Sequence, residues 1–432
     1  MKSWRDAFLN YLNPKVFIFL FLGFSCGLPY NLLGYSLSLW MREVNISLAV
    51  IGFFSFVFLP YSFKFLWAPF VDKIRIPVLW KIGQKKAWAL VFQACLVCCI
   101  LGLALYPSNA NTWTLSIEIK NEVLQIPMQT FLFAILTAFF AASQDIVVDS
   151  LRIDTLSKDE LGEAAGTYQL GYRLALFVSG AGVVMISSLI SWRLAYAIVG
   201  LFCLSGMFAI LFVKEAPQES VQNQQLFKQM VIEPFYDFMQ RKDWLLILVF
   251  IVLYKLCNAV LGRMAVPFYN DIGFTKNQIG LISGTFGPWV TIVGVFLGGV
   301  LVARFSVLKC LLGLGFVEIL TSCAFAFLAY LGNNPIIFTA TIFFDNVVGG
   351  MGGTVFIAFL SGLCSKKYSA TQYALLTSLM AVSASVISAQ SGVWAEEMGY
   401  VNFFLYTGVL MVPALILLVF IMRGQDESRT LS

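Results

Sequence analysis

The sequence predicts an all-α membrane protein, with twelve transmembrane helices arranged as two six-helix pseudo-repeats. Three observations carry this. Of 432 residues, 59% are hydrophobic and only 12% are charged, with mean hydropathy +0.83, where a soluble domain carries about 25% charged residues. Apolar runs long enough for crossings of about 20 residues recur along the whole chain. One phrase is also written twice, a half-chain apart: Ser47, Ile51, Gly52, Pro60, and then Thr275, Ile279, Gly280, Pro288. An echo of this kind inside apolar segments points to a duplicated bundle with a site where its halves meet, and so to a transporter.

The expected first-half spans are 16–40, 48–70, 87–106, 128–150, 164–189 and 194–213. Those of the second half are 244–269, 277–302, 309–331, 336–363, 370–391 and 401–422. Span one follows a basic start (Lys2, Arg5, Lys15) and exceeds a signal-peptide core of about 7–15 residues, so it reads as uncleaved. Between the halves, 214–243 is polar, with Gln222, Gln224, Gln225, Lys228, Arg241 and Lys242. It reads as a linker, partly helical along the membrane surface. The expected units are therefore a bundle at 1–213, a cytoplasmic linker at 214–243, and a second bundle with a short tail at 244–432.

Basic residues set the orientation. Lys73, Arg75, Lys81, Lys85 and Lys86 follow span two, and most other bases lie at the termini or at even-numbered exits. The opposite side holds only Arg42, Lys120, Arg193 and Lys276. Both termini are thus expected in the cytoplasm. The longest outer loop, 107–127, is mildly acidic and carries no signal.

Composition also excludes. Histidine is absent, so no histidine-based nucleophile, metal site or imidazole proton relay can form. The nine cysteines lie almost entirely in apolar spans, where a thiol acts as a small hydrophobe. Cys95-x-x-Cys98-Cys99 lacks the second half of a metal site. No cofactor or metal is expected, and no enzymatic activity. The net charge of +5 is dispersed over short loops and is no footprint for nucleic acid.

Six spans, a linker and six more resemble the layout of the major facilitator superfamily. The turn holding Asp72-Lys73 and then Gly83-Gln84-Lys85-Lys86 is similar to that superfamily's acidic-then-basic cytoplasmic signature, stretched by an insertion. Gly298-Gly299-Val300-Leu301-Val302-Ala303-Arg304 resembles a degenerate copy without the acid. Such a turn clamps neighbouring helices on the cytoplasmic side, a contact that must break as the protein opens inward. Lys64, Asp72, Lys73, Lys85 and Lys86 form the expected cytoplasmic gate.

Longer stretches narrow the resemblance. They are Leu22-Gly23-Phe24-Ser25-Cys26-Gly27-Leu28-Pro29, Phe63-Lys64-Phe65-Leu66-Trp67-Ala68-Pro69, and Ala142-Ser143-Gln144-Asp145-Ile146-Val147-Val148-Asp149. Further along come Leu170-Gly171-Tyr172-Arg173-Leu174, Phe344-Asp345-Asn346-Val347-Val348-Gly349-Gly350-Met351-Gly352-Gly353, and Tyr368-Ser369-Ala370-Thr371-Gln372-Tyr373-Ala374-Leu375-Leu376. Together they resemble the AmpG-type muropeptide permeases and, more distantly, acetyl-CoA transporters. The resemblance implies a proton-driven importer in the bacterial inner membrane carrying an amino-sugar or muropeptide-like cargo; membrane lipid around it and a monomeric state are further expectations. The sequence departs from the family at Lys255-Leu256-Cys257-Asn258, where a span-seven Asp is replaced by Asn258, and at Asp345, often Glu in the family.

Charges inside a bilayer cost about 2.5–3.5 kcal/mol each on insertion scales, so each needs a partner or a task. Lys64, Asp145, Asp149, Arg173, Lys255, Arg263, Glu318 and Asp345 fall in or near spans. Asp145 and Asp149, one helical turn apart, read either as a proton site or as an ion-pair cluster with Lys64, Arg152 or Arg173. Arg173 and Lys255 read either as captors of a cargo carboxylate or as partners of Asp345 or Glu318. Asp345, at mid-depth beside Asn346 and glycine-rich helix, is the first candidate for proton coupling, and Glu318 reads as structural. Span one reads as broken at Gly27-Leu28-Pro29, which makes Tyr30, Asn31 and Tyr35 candidate sugar contacts. Tyr172, Asn258 and Asn346 complete the expected cargo site, and Tyr168, Tyr254 and Trp289 could also stack or hydrogen-bond. Competing readings are a carrier of acyl-CoA or another anionic metabolite, a non-transporting receptor or scaffold, and, least favoured without histidine, a membrane enzyme.

Overall fold

A computed structural model of the chain describes residues 13–44, 46, 50–51, 54–77, 79–105, 114–119, 122–157, 160–215, 232–241, 243–388 and 390–430. Eleven helices among these residues are long and apolar enough to cross a membrane. In the first half they are α1 (Pro14–Glu43), α2 (Gln84–Leu105), α3 (Met128–Thr155), α4 (Leu161–Leu189) and α5 (Trp192–Phe212). A short linker helix follows, α6 (Glu233–Met239). In the second half they are α7 (Trp244–Asp271), α8 (Asn277–Arg304), α9 (Val307–Leu331), α10 (Pro335–Leu363), α11 (Lys366–Ser388) and α12 (Ser391–Arg423). Gly399, at φ 71°, turns the chain inside α12 shortly before the expected start of its spanning part.

The second expected span is not one regular helix. It is a 3₁₀ turn (Phe54–Phe58), a helical turn (Leu59–Phe63), a second 3₁₀ turn (Lys64–Leu66) and a short helix (Ala68–Lys73). Pro60 and Pro69 explain the segmentation. Each stands in the first turn of a helical piece, where a missing N–H costs little, and each lacks the N–H that a helix continuing from upstream would need. The repeated phrase has a structural counterpart here. Ser47 and Gly52 lie outside the described residues, but Pro60 and Pro288 both open α-helical segments behind a non-α turn, the latter behind a π-helical stretch (Gly280–Phe286). In the second copy Thr275 caps α8: the Gln278 N–H donates to Thr275 Oγ1 (3.3 Å) and the Thr275 N–H to Gln278 Oε1 (2.9 Å), a reciprocal capping box.

The break expected at Gly27-Leu28-Pro29 is absent. Helix α1 runs through Pro29 and only then widens into a π-helical turn (Leu32–Ser36). The glycines serve packing instead. A Cβ on Gly23, Gly27 or Gly171 would lie 2.0, 2.7 or 1.9 Å from the carbonyl oxygens of Tyr168, Tyr172 and Leu20. Helices α1 and α4 therefore touch backbone to backbone, the small-residue packing used where lipid offers no hydrophobic drive for helix association.

Each half builds its own core. Trp40, Leu96, Ile100 and Tyr196 meet in the first, and Phe250, Tyr254, Phe356 and Leu418 in the second. A third cluster joins them: Ala370 and Ala374 of α11 pack among Val71, Ile146 and Leu151. This junction lies at the end of the bundle where α6 sits, the linker end. Of the linker, Gln222, Gln224, Gln225, Lys228 and Lys242 lie outside the described residues, as do Lys2 and Arg5. The loop expected to be featureless carries an antiparallel pair, β1 (Thr114–Ile119) and β2 (Glu122–Pro127), with Thr114 opposite Pro127 and Ile119 opposite Glu122.

Candidate functional site

At the linker end the halves are tied by a buried ionic cluster. The side chain of Lys85, at the start of α2, is fully buried and lies 3.4 Å from Asp72 Oδ1 and 2.5 Å from Asp154 Oδ2. Its ammonium also donates to Ser369 Oγ (2.6 Å). Asp72 accepts from the N–H groups of Ala370 (3.2 Å) and Thr371 (2.9 Å) and from the Thr371 hydroxyl (2.7 Å). A first-half carboxylate thus caps the start of a second-half helix, where free N–H groups and the helix dipole both favour an anion. Asp154, Ser369 and Thr371 are invisible as partners in the sequence, although Ser-Ala-Thr before an apolar run is an N-cap pattern.

Two of the expected gate lysines have lesser roles. The Lys86 ammonium donates to Leu211 O (3.1 Å), and the backbone N–H groups of Lys85 and Lys86 donate to the Glu215 carboxylate (3.0 and 3.1 Å). The Lys73 ammonium sits 5.0 Å from the centre of the Tyr368 ring. Partial burial holds it below its usual pKa, with the charge of Lys367 adding to the effect. Linker helix α6 joins the same end. Tyr368 donates to Glu233 (2.6 Å), and the Gln372 amide donates to Asp237 (2.7 Å) and Pro234 O (3.1 Å).

Lys64 belongs to a neighbouring cluster and not to the Asp72–Lys85 contact. It is buried and interacts electrostatically with Asp145 and Asp149. The structure separates these two acids. Asp149 pairs with fully buried Arg152 at 2.9 Å, which also donates to Tyr373 Oη (3.0 Å) and Ser361 Oγ (3.3 Å) across the seam. Its guanidinium lies against the rings of Tyr168 and Tyr373. Asp145 has no cation within 4 Å among the described residues, and its buried Oδ1 has no hydrogen-bond partner. Arg173 takes no part in this cluster.

Arg173 instead lines a cavity of about 470 Å³ between the halves, with Asn31 and Tyr35 of α1, Phe177 of α4, and Thr285 and Trp289 of α8. This volume is in the range of small-molecule sites. The Asn31 amide donates to Leu176 O (2.8 Å), fixing α1 against α4 and leaving its oxygen available. Tyr30 stands to one side, its ring tilted against Phe58 and edge-on to Tyr61. Tyr172 packs beside Tyr168.

In the second half Lys255 lies 5.1 Å from the Phe356 ring centre and interacts electrostatically with Glu318 and with Arg173. Glu318 is buried; it accepts from the Asn258 amide (2.9 Å) through Oε1, while Oε2 has no partner. Asp345 forms no ion pair with Lys255 or Arg173 within 4 Å among the described residues, and Glu318 is the charge it senses. Glu318, which reads as merely structural in the sequence, is the acid that acts electrostatically on Lys255, although the two form no ion pair within 4 Å among the described residues. Asn346 is tied into packing, accepting from Thr291 Oγ1 (2.7 Å) and donating to Ile342 O (2.8 Å).

Known proteins share this architecture. A family model described as acetyl-coenzyme A transporter 1 matches residues 12–195. The anhydromuropeptide permease of Escherichia coli (strain K12) is 34% identical over 420 residues, covering 96% of this chain and 82% of the permease. The chain belongs to the AmpG anhydromuropeptide permease family. A putative transporter AmpG 4 of Rickettsia conorii is 32% identical over 424 residues, covering 96% of this chain and 97% of its own. Among solved structures, the major facilitator superfamily proton:xylose symporter XylE superposes with a TM-score of 0.65 at 11% identity, covering 96% of this chain and 95% of XylE. This AmpG relative is accordingly a multi-pass membrane transporter of the major facilitator fold with a small-molecule cargo. Its relatives are transporters and not enzymes.

Proposed function

We propose that this transporter imports an anhydromuropeptide-like amino-sugar together with protons across the bacterial inner membrane. The observation that carries the reading is Arg173. It is exposed in an aromatic-walled cavity at the seam, within electrostatic reach of Lys255 from the opposite half. A cargo carboxylate bound between two such cations draws the halves together, while Trp289, Phe177 and Tyr35 offer faces to a sugar ring. The bundles at 1–213 and 244–432 act as the rocking bodies of alternating access, with the 214–243 linker and both termini in the cytoplasm. The Lys85 cluster with Asp72 then serves as the inner gate, supported by Lys73 and Lys86.

For coupling, Asp345 remains the entry acid, now acting through Glu318. A proton passed to Glu318 weakens its hold on Lys255 and frees that cation for the cargo. Asp145, with an unmatched oxygen, is the corresponding acid of the first half, while Asp149 is held by Arg152. The test is uptake of labelled anhydromuropeptide into proteoliposomes with and without an inward proton gradient. Accumulation that depends on the gradient supports the reading; no uptake by correctly inserted protein refutes it.

The match of residues 12–195 to the acetyl-coenzyme A transporter model favours one alternative, an acyl-CoA carrier. It predicts that acetyl-CoA displaces labelled anhydromuropeptide, or binds where the latter does not.

A further inference from the structure

A second cavity, of about 460 Å³, opens at the linker end between the start of α1 and the ends of α3 and α5. Its walls include Lys15, Phe19, Thr155, Leu156, Phe212 and Lys214. No part of the transport site reaches it. Lys15 stands at the start of α1, Thr155 is the last residue of α3, and Lys214 follows α5 by two residues. All three therefore lie at the level where a bilayer places its headgroups.

The cleft is apolar within and cationic at its rim. Lys15 and Lys214 are both exposed, and neither ammonium makes a hydrogen bond or ion pair among the described residues. The backbone donors of the α1 start are already used: the N–H of Lys15 by the Asn13 side chain, those of Val16 and Phe17 by Asn13 O. An anion there would be held by the two ammonium groups. Below the rim, Phe212 of α5 lines the cleft with Ile18 and Phe19 of α1, and Phe208, one turn further along α5, is 65% exposed, a surface suited to acyl chains.

We infer that this cleft holds one anionic phospholipid, its phosphodiester between Lys15 and Lys214 and its chains along α1 and α5. Charge complementarity names the occupant. Basic pockets between spanning helices recognise anionic headgroups, and each lysine near an anionic surface contributes about fivefold in affinity. Zwitterionic lipid lacks the net charge, and a soluble phosphate would leave the apolar floor unfilled. The site adjoins the gate, because Thr155 follows Asp154, the partner of Lys85.

The experiment is a native mass-spectrometric titration of the detergent-solubilised full chain with phosphatidylglycerol and, separately, with phosphatidylcholine. The wild type should bind one phosphatidylglycerol in clear preference. The Lys15→Gln/Lys214→Gln double variant should lose about twenty-fivefold of that affinity, with phosphatidylcholine binding and the thermal midpoint unchanged. Lys81→Gln, an exposed base elsewhere at the same end, should bind as the wild type does. Equal phosphatidylglycerol affinity in the double variant, or no preference in the wild type, would overturn the assignment. Displacement by soluble glycerol phosphate at the concentration of lipid would show a free-anion site and overturn it as well. A preference that emerges only when residues 1–12 are removed would give the cleft to the chain's own start and would likewise overturn it.

Discussion

Replacing Lys85 by Met tests whether the linker-end cluster holds the halves closed. The substitution keeps most of the aliphatic stem and removes the only cation within 4 Å of both Asp72 and Asp154 among the described residues. Breaking a buried ion pair by deleting one partner costs about 3–5 kcal/mol, because the remaining charge stays buried. Here the low end applies. Asp72 keeps three donors from Ala370 and Thr371, and Asp154 keeps the Ser369 hydroxyl. Both ion pairs lie within the first half, so the bond the closed state alone loses is the one from Lys85 to Ser369 across the seam. A hydrogen bond to a charged group is worth about 1.5–3 kcal/mol, or roughly a 10- to 150-fold shift from closed toward open at this end. Nitroxides at Lys81 and Lys367, both exposed and on opposite halves, report it by pulsed electron spin resonance in a background lacking the native cysteines. The variant should gain a longer-distance population and lose several degrees of thermal midpoint. Lys86→Met, which removes one peripheral hydrogen bond to Leu211 O, should change both by little. An unchanged distance distribution together with an unchanged midpoint in Lys85→Met would refute the clamp.

Other substitutions probe the rest of the molecule. Arg173→Gln should weaken binding of a carboxylated cargo by about 10- to 100-fold, the worth of a charge-assisted hydrogen bond, whereas a cargo analogue lacking the carboxylate should bind both proteins alike; isothermal titration checks this. Glu318→Gln should uncouple uptake from the proton gradient while cargo exchange persists, and Asp345→Asn should do the same. Unchanged gradient-driven uptake in either variant removes that acid from coupling. Gly171→Ala drives a Cβ to 1.9 Å from Leu20 O, a backbone clash that should cost about 1–3 kcal/mol and lower the thermal midpoint. Gly349→Ala, with nothing within 4 Å, should not.

The fold is legible in the sequence because hydropathy counts spans without needing to know which faces meet. The same property hides the site. Spans apolar on nearly every side carry little amphipathic signal, so the rotation of each helix, and hence which charges touch, is not recoverable. Asp72 and Lys85 are readable as a clamp from their turn, yet Ser369 lies 284 residues beyond Lys85. The sequence offers Lys64 both to that clamp and to Asp145 and Asp149, and only the rotation of its segment settles it toward the two acids. Glu318 lacks any motif around it, and only its bond to Asn258 marks it out. The strand pair at 114–127 is foreshadowed by the alternation Thr-Leu-Ser-Ile-Glu-Ile, a signal that a search for apolar length discards along with every short polar loop.

The docking of α6 sets what the covalent connection between the halves can do. Gln372 holds the Ser365 N–H (2.8 Å) with its oxygen, and Pro234 and Asp237 with its nitrogen, so α6 travels as freight of α11. Under the rocking proposed above, α6 then counts mechanically as part of the second half, although it lies in the linker of the sequence. A chain cut between positions 216 and 231 leaves α6 attached there, and the two fragments should reassemble into a working carrier.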